Sequence, residues 1–275
     1  MGRVLTDAPL LRRHLLATGI AGPVATSRDK SLRRYQQFAA RDPRVLLGLE
    51  PERDWSVAEL LRLMAERCGT SGDPGRISGT EVIDPDRTIA ALEAFAERLR
   101  GAVRDGEAVL FGTGHPDRLL GFYAPLAAAL SAAGCVVLTP GEGRDVDITT
   151  RFGVRTYRLN YPGKVAVLGG QDPSTQVATR GVHTHSPLPL RAALGAAAAA
   201  GGPLPALVVG DHGWACGAGQ LGIEAIGLAD ADDPAPFVAQ AEGRVPVVVP
   251  LDDSVQPDSY GPVAEYVLKH ARLSL

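Results

Sequence analysis

The chain has 275 residues, 45% of them hydrophobic and 21% charged, and a net charge of −3. That is the composition of a globular protein large enough to bury a substantial core, with no basic run to build a nucleic-acid surface. The three cysteines, Cys68, Cys135 and Cys216, form no CxxC pair, which argues against a zinc knot or a disulfide framework and for a reducing compartment. Asp7, Arg12, Arg13 and His14 stand where a signal peptide needs an apolar core. The alanine run 194–200 is too short to span a bilayer. These features predict a cytoplasmic protein without a membrane partner.

Residues 1–105 read as a helical N-terminal region packed on the core. Thr6 or Asp7 caps a first helix carrying Leu10, Leu11 and Leu15, which stops near Gly19 and Gly22. A polar stretch, 26–31, precedes a second helix over 32–40. Ser56 and Glu59 make a capping box ahead of Val57, Leu60, Leu61 and Met64. Gly69 to Gly79 is a loop. Asp84-Pro85 starts a long amphipathic helix with Ile89, Leu92, Phe95, Leu99 and Val103 on one face.

Residues 106–275 alternate between strand and helix. Strand Ala108–Phe111 leads through Gly112-Thr113-Gly114-His115 into a helix over 117–133, which contains Pro125. A short strand over 135–138 follows. Segments 154–161 and 164–168, joined by Pro162-Gly163, predict an antiparallel hairpin. Residues 181–185 read as a short strand before a helix begun by Ser186-Pro187. Ala206–Gly210 and Ala225–Ala229 are apolar runs suited to strands buried on both faces. Pro246 puts strand 245–249 at a sheet edge, and a helix over 262–271 closes the chain. The predicted class is α/β: a mixed, mainly parallel, Rossmann-like sheet with helices on both faces, behind the helical N-terminal region.

Ligands of such sheets bind beyond the carboxyl ends of the strands, where Asp211 and His212 fall. A carboxylate and an imidazole there bind a divalent metal or share a proton transfer; alternatively Asp211 caps the next segment and His212 packs on Trp214. Asp230 is a second acid at a strand end. His183 and His185, two apart, face one side if the strand is regular and offer two metal ligands. Asp232-Asp233 and Asp252-Asp253 are further acids that serve either as oxygen ligands or as a helix cap and a solvated turn. Gly112-Thr113-Gly114, with His115 and Arg118, reads as an anion-holding turn at a helix start or as a plain strand-to-helix turn. Gly217, Gly219 and Gln220 fall in a GxGxxG pattern, but six residues separate it from its strand and Asp230 arrives too early, which rejects NAD. The surviving reading is an anion-binding loop or a close-packed turn without a ligand.

No cysteine has an arginine six positions on, no Arg-His-Gly occurs, and no loop ends in Gly-Lys-Ser/Thr. These absences remove cysteine-phosphate, histidine-phosphatase and Walker-type chemistry. The stretches GTGHPDRLLGFY, VHTHSPLPLRAAL, VVGDHGWACGAGQLGIEAIGLADADDP and VPLDDSV resemble a family of high-GC bacterial proteins named as phosphatases. A looser similarity runs to α/β proteins of the D-glutamate cyclase type. The first resemblance implies hydrolysis of a small phosphorylated metabolite. The expected site then has Asp211, His212 and His115 as catalytic residues. Asp211, Asp230, His183 and His185 would hold magnesium or manganese, and Gly112, Thr113, Gly114, Arg118, Gly217, Gly219 and Gln220 the phosphate, with no NAD or flavin. A lyase or cyclase acting on a carboxylate with His212 as base, and a binding protein without turnover, are the alternatives. Whether Arg28, Lys30 and Arg33 reach the cleft is open at this stage.

Overall fold

The computed structural model describes residues 7–150, 153–171 and 181–274. Its centre is an eight-stranded sheet of β3 (Ala108–Gly112), β4 (Val136–Val137), β5 (Asp145–Thr150), β6 (Gly153–Asn160), β7 (Val165–Gly169), β8 (Leu207–Gly210), β9 (Glu224–Ala229) and β10 (Val247–Pro250). The order is β10-β9-β8-β3-β7-β6-β5, with β4 also beside β3. Strands β10 through β7 in that order run parallel, as does β4, while β6 and β5 add an antiparallel extension. The sheet is therefore mixed, with the hairpin across Pro162-Gly163 where the turn chemistry placed it, and β10 at the edge.

Strand residues alternate between two cores, as a period of two requires. Val109, Phe111, Leu207, Val209, Ile226, Leu228 and Val249 face one side, and Leu110, Ala166, Leu168, Val208, Ala225 and Val248 the other. The first side is covered by α1 (Ala8–Thr18), α5 (Pro85–Arg104), α6 (Pro116–Ala132) and α10 (Gly261–His270). The second is covered by α2 (Arg28–Ala39), α3 (Pro43–Leu46), α4 (Val57–Cys68), α7 (Leu188–Ala199), α8 (His212–Gln220) and α9 (Pro234–Ala241). Helices of the N-terminal region thus contribute to both cores. The caps follow the sequence: Asp7 accepts from the Leu10 N–H, Ser56 and Glu59 make the reciprocal box, and Asp84 accepts from the Asp86 N–H. Thr6, the alternative first cap, lies outside the described residues. Pro125 sits inside α6 without ending it.

Three differences from the sequence expectations matter. The N-terminal region, read as helical, also holds an antiparallel pair, β1 (Gly22–Ser27) and β2 (Thr80–Ile83), in stretches to which the sequence assigned no strand. Residues 145–150 are a strand because every one of them pairs with β6, opposite residues 153–158. Residues 181–185 form no regular strand. They are tied by single bonds, from the Val182 N–H to the Leu168 carbonyl and from the Thr184 N–H to the Gly114 carbonyl.

The sheet is pinched at one level by glycines. Gly112 and Gly210 are register partners on β3 and β8, and Trp214 of α8 lies over them. A Cβ at Gly112 would stand 2.2 Å from the indole, and one at Gly227 on β9 would stand 2.1 Å from the Gly210 carbonyl oxygen. The close approach draws the start of α8 down to the carboxyl ends of β3 and β8.

Candidate active site

Four of the six histidines meet at those carboxyl ends. His115 follows β3 and His212 opens α8 after β8, while His183 and His185 lie on the segment beyond β7. The sheet order reverses around β3, so this is the crevice where open α/β sheets bind ligands. The rings form two stacks: His115 on His183 at 3.8 Å between centroids, and His185 on His212 at 4.3 Å. The His183 and His185 rings lie 4.8 Å apart between centroids, although their segment is not the regular strand that the spacing argument required. His212 takes φ +45°, the left-handed region that a residue with a side chain adopts only under constraint.

Carboxylates complete the cluster from the same carboxyl ends, beyond the neighbouring strands β9 and β10. His212 Nε2 lies 3.2 Å from Asp233 Oδ2 and 3.3 Å from Asp253 Oδ2, and His115 Nδ1 lies 3.3 Å from the same Asp253 oxygen. Yet His115 Nδ1, His212 Nδ1 and Asp253 Oδ2 are buried without a hydrogen-bonded partner. Buried polar atoms left without partners call for an explanation. Donor atoms bound at about 2.1 Å around a tetrahedral cation are separated by roughly 3.4 Å, close to the spacings here. Two groups of donors, His115/His183/His212 and His185/His212/Asp233, each converge within 4.8 Å, and so does Asp230/Asp252/Asp253. The chemistry and spacing of these residues fit a divalent metal.

The electrostatics divide the imidazoles. Burial, reinforced by the neighbouring imidazoles, lowers His185 to about 4, and partial enclosure beside the other histidines lowers His183 to about 3, so both are neutral donors near pH 7. Burial alone would lower His212 as well, but Asp211, Asp233 and Asp253 together outweigh it and raise the group. Asp233 is brought to about 2 because its contacts with His212 and His185 overcome its burial. Asp230 moves the opposite way, pushed well above the carboxylate range by burial and by Asp232, Asp253 and Asp252.

The cavity at this cluster measures about 120 Å³ and is lined by Lys30, Arg34, the four histidines, Asp230, Asp232, Asp233, Asp253 and Ser254. Not every expected site residue reaches it. Asp211 is fully buried, and its carboxylate accepts from Thr113 Oγ1 at 2.8 Å and from the Gly114 N–H at 2.5 Å. It ties the β3 turn to His212, whose Nδ1 is 3.7 Å away, and does not line the cavity. The Gly112–Gly114 turn is correspondingly not an anion cradle: the Gly114 N–H is spent on Asp211 and the His115 N–H on Thr113 Oγ1. Gly114 is needed for packing, since a Cβ there would meet the Thr184 carbonyl at 2.2 Å and His212 at 2.9 Å. Arg118 pairs with Asp117 outside the cavity.

Gly217, Gly219 and Gln220 belong to α8, not to a loop. They are carried toward the opposite end of the sheet, where Gln220 accepts from the Glu50 N–H and from Arg244. Gly217 and Gly219 face Pro187 and the Arg244 carbonyl, which makes them close-packing positions. Conversely, Asp233 and Asp253, left open in the sequence between ligand and cap or turn, are the carboxylates that face the imidazoles. Position after a strand was the available signal: Asp253 follows β10 as Asp230 follows β9. Asp252, beside it, is taken up by the Ala25 and Ser254 N–H groups and Ser254 Oγ.

A mixed α/β sheet whose carboxyl edge gathers four imidazoles and several buried carboxylates defines an α/β protein with a site able to hold a divalent metal. A family model described as Phosphatase matches residues 6–275. Phosphatase SCO2771 of Streptomyces coelicolor is 43% identical over 265 residues, spanning 96% of this chain and 95% of that one. The chain belongs to this phosphatase family, the phosphoric monoester hydrolases, in accord with the resemblance carried by its long motifs. Among the described residues no helix is long and apolar enough to cross a membrane.

Proposed function

We infer that the protein hydrolyses a phosphomonoester of a small metabolite with the help of a divalent cation held by His115, His183, His185, His212, Asp233 and Asp253. The observation that carries this is the convergence of imidazole nitrogens on the Asp253 Oδ2 oxygen at 3.3 Å without hydrogen bonds between them. When bound, such a cation lowers the pKa of a water and offsets phosphoryl charge. Asp211 fixes the turn that presents His115 and the backbone that presents His212. Asp233 and Asp253 supply negative charge beside the neutral imidazoles of His183 and His185.

The cavity volume equals about four waters, room for a phosphoryl group with the rest of the substrate outside. Of magnesium and manganese, the imidazole-rich donor set favours manganese, and it equally suits zinc or iron; magnesium prefers an all-oxygen shell. The free, buried cysteines support a cytoplasmic setting. The test is phosphate release from an aryl phosphate and from sugar and nucleoside monophosphates, across a panel of divalent metals with a chelator control. Metal-dependent turnover abolished in His212→Ala is the expected result. No phosphate release with any metal overturns it.

A further inference from the structure

The acids of the cavity, with His115 and His212, follow strands of the sheet and His183 and His185 lie on the segment beyond β7, but its two cations come from elsewhere. Lys30 and Arg34 lie on α2, one turn apart, so they share a face of that helix. Arg33, beside them, points away and pairs with Asp29 at 63% exposure, while Arg28 is buried against Glu81 at 3.1 Å. Of the three basic residues the sequence left open, Arg28, Lys30 and Arg33, only Lys30 reaches the cavity, and Arg34 joins it.

The helix is pinned over the site. Thr26 Oγ1 donates to Asp230 Oδ2 at 2.6 Å, and Tyr35 Oη donates to the Ala231 carbonyl at 2.6 Å. Arg28 also donates to the Arg76 and Asp73 carbonyls, fixing the first turn of α2 to the 73–76 loop. Lys30 Nζ meets Asp232 Oδ2 at 2.9 Å but remains 46% exposed, and the nearest nitrogen of Arg34 is 3.6 Å from that oxygen, too long for a hydrogen bond. Asp232 therefore aims two cations into the cavity mouth without using up their donors.

A phosphomonoester is dianionic near neutral pH, and the cavity wall carries Asp230, Asp232, Asp233 and Asp253. A metal at the imidazoles addresses one side of the phosphoryl group, which leaves its outward oxygens facing the mouth. We propose that Lys30 and Arg34 form the phosphoryl-recognition site, gripping the outward oxygens of the scissile group, with Asp232 as their positioning residue. This rests on the phosphatase reading above and specifies it: the cations recognise the phosphoryl group itself and not a second anion on the substrate. Lys30 acts as a point charge and Arg34 as a fork of donors.

The test uses the metal-loaded protein with inorganic phosphate as the calorimetric probe and an aryl phosphate, which has no second anion, as substrate. Lys30→Met and Arg34→Met are each expected to weaken phosphate binding by about tenfold and the double variant by about a hundredfold, the scale of a charge-assisted hydrogen bond. Bound metal stays at the wild-type level, KM rises more than kcat falls, and Lys30→Arg recovers most of the loss. Unchanged phosphate affinity in the double variant, an unchanged KM for the aryl phosphate, or no phosphate binding by the wild type each overturns the proposal. Wild-type turnover that the double variant retains in full leaves hydrolysis standing and removes the cation site. Phosphate binding that the double variant loses, in a protein without turnover, does the reverse.

Discussion

Asp253 Oδ2 and His212 Nε2 face each other at 3.3 Å with no hydrogen bond completed on the oxygen. The two residues lie at the ends of strands with one other strand between them, β8 and β10 around β9, and both are buried. Leaving such an oxygen unpaired is costly, and a cation between the pair removes the cost. Binding a metal only in the folded state must then raise stability.

A divalent ion supplied at a hundred times its dissociation constant is expected to add about 2.7 kcal/mol, worth several degrees in Tm for a domain of this size. Thermal melts with manganese, zinc or iron(II) against a chelator measure it. In His212→Ala the metal-dependent increment disappears; an increment of wild-type size there would place the ion elsewhere.

Asp211→Asn should behave differently from loss of a ligand. The new amide keeps an oxygen for only one of its two donors, the Gly114 N–H and the Thr113 hydroxyl, and sets an NH2 and no charge against the other, which loosens the β3 turn. We expect destabilisation of about 1–3 kcal/mol and metal affinity lowered by about 10- to 100-fold, with binding still detectable. Complete loss of metal at an unchanged Tm would make Asp211 a direct ligand.

Gly112→Ala tests the glycine level beneath Trp214. Its Cβ would sit 2.2 Å from the indole, and a rigid buried ring has nowhere to go. Overpacking of this kind costs about 1–3 kcal/mol or more, read as a lower denaturation midpoint. Since Trp214 follows His212 by two residues, metal affinity should fall with it. A midpoint within error of the wild type would show that α8 shifts freely.

Glu59 gives a pH prediction away from the cavity. Its hydrogen bonds to Ser56, and then its contact with Arg53, lower it to about 2 from an ordinary value near 4.5. A carboxylate lowered on folding stabilises the protein above its unfolded pKa, and the contribution is lost as pH falls from about 4.5 toward 2. Glu59→Gln should therefore lower stability at pH 7 and narrow the gap to wild type at pH 3. A gap of constant size across that range would rule out the charge as its source.

The parts of the fold written in local pattern were legible beforehand. The capping box at Ser56, the turn at Pro162-Gly163, the edge strand after Pro246 and the apolar runs at Ala206 and Ala225 depend on neighbours in sequence. So was the place where candidate donors gather, because His212 and Asp230 follow buried strands and His183 and His185 stand two apart on one segment. What was hidden depends on distant partners. Strand β1 looks irregular because Thr26 and Ser27 are polar, and Thr26 is polar because its hydroxyl meets Asp230, 204 residues on. Glycines 217 and 219 resembled a phosphate loop because close helix packing and anion cradling both demand glycine. Lys30 and Arg34 separate from Arg28 and Arg33 only once the direction of α2 is fixed by Tyr35.

The Ala25 N–H donates to Asp252 Oδ2, joining residues 227 positions apart. The proposed metal donors begin at His115 and end at Asp253, and the helix bearing the cations belongs to a segment before residue 40. No nascent fragment that stops short of β10 contains the full set. Loading of the proposed site would consequently wait until β10 has formed and these two distant segments have met. Variants that slow this last closure would accumulate as metal-free protein even where the finished site is intact, and their yield of loaded enzyme would depend on growth temperature more than on metal supply.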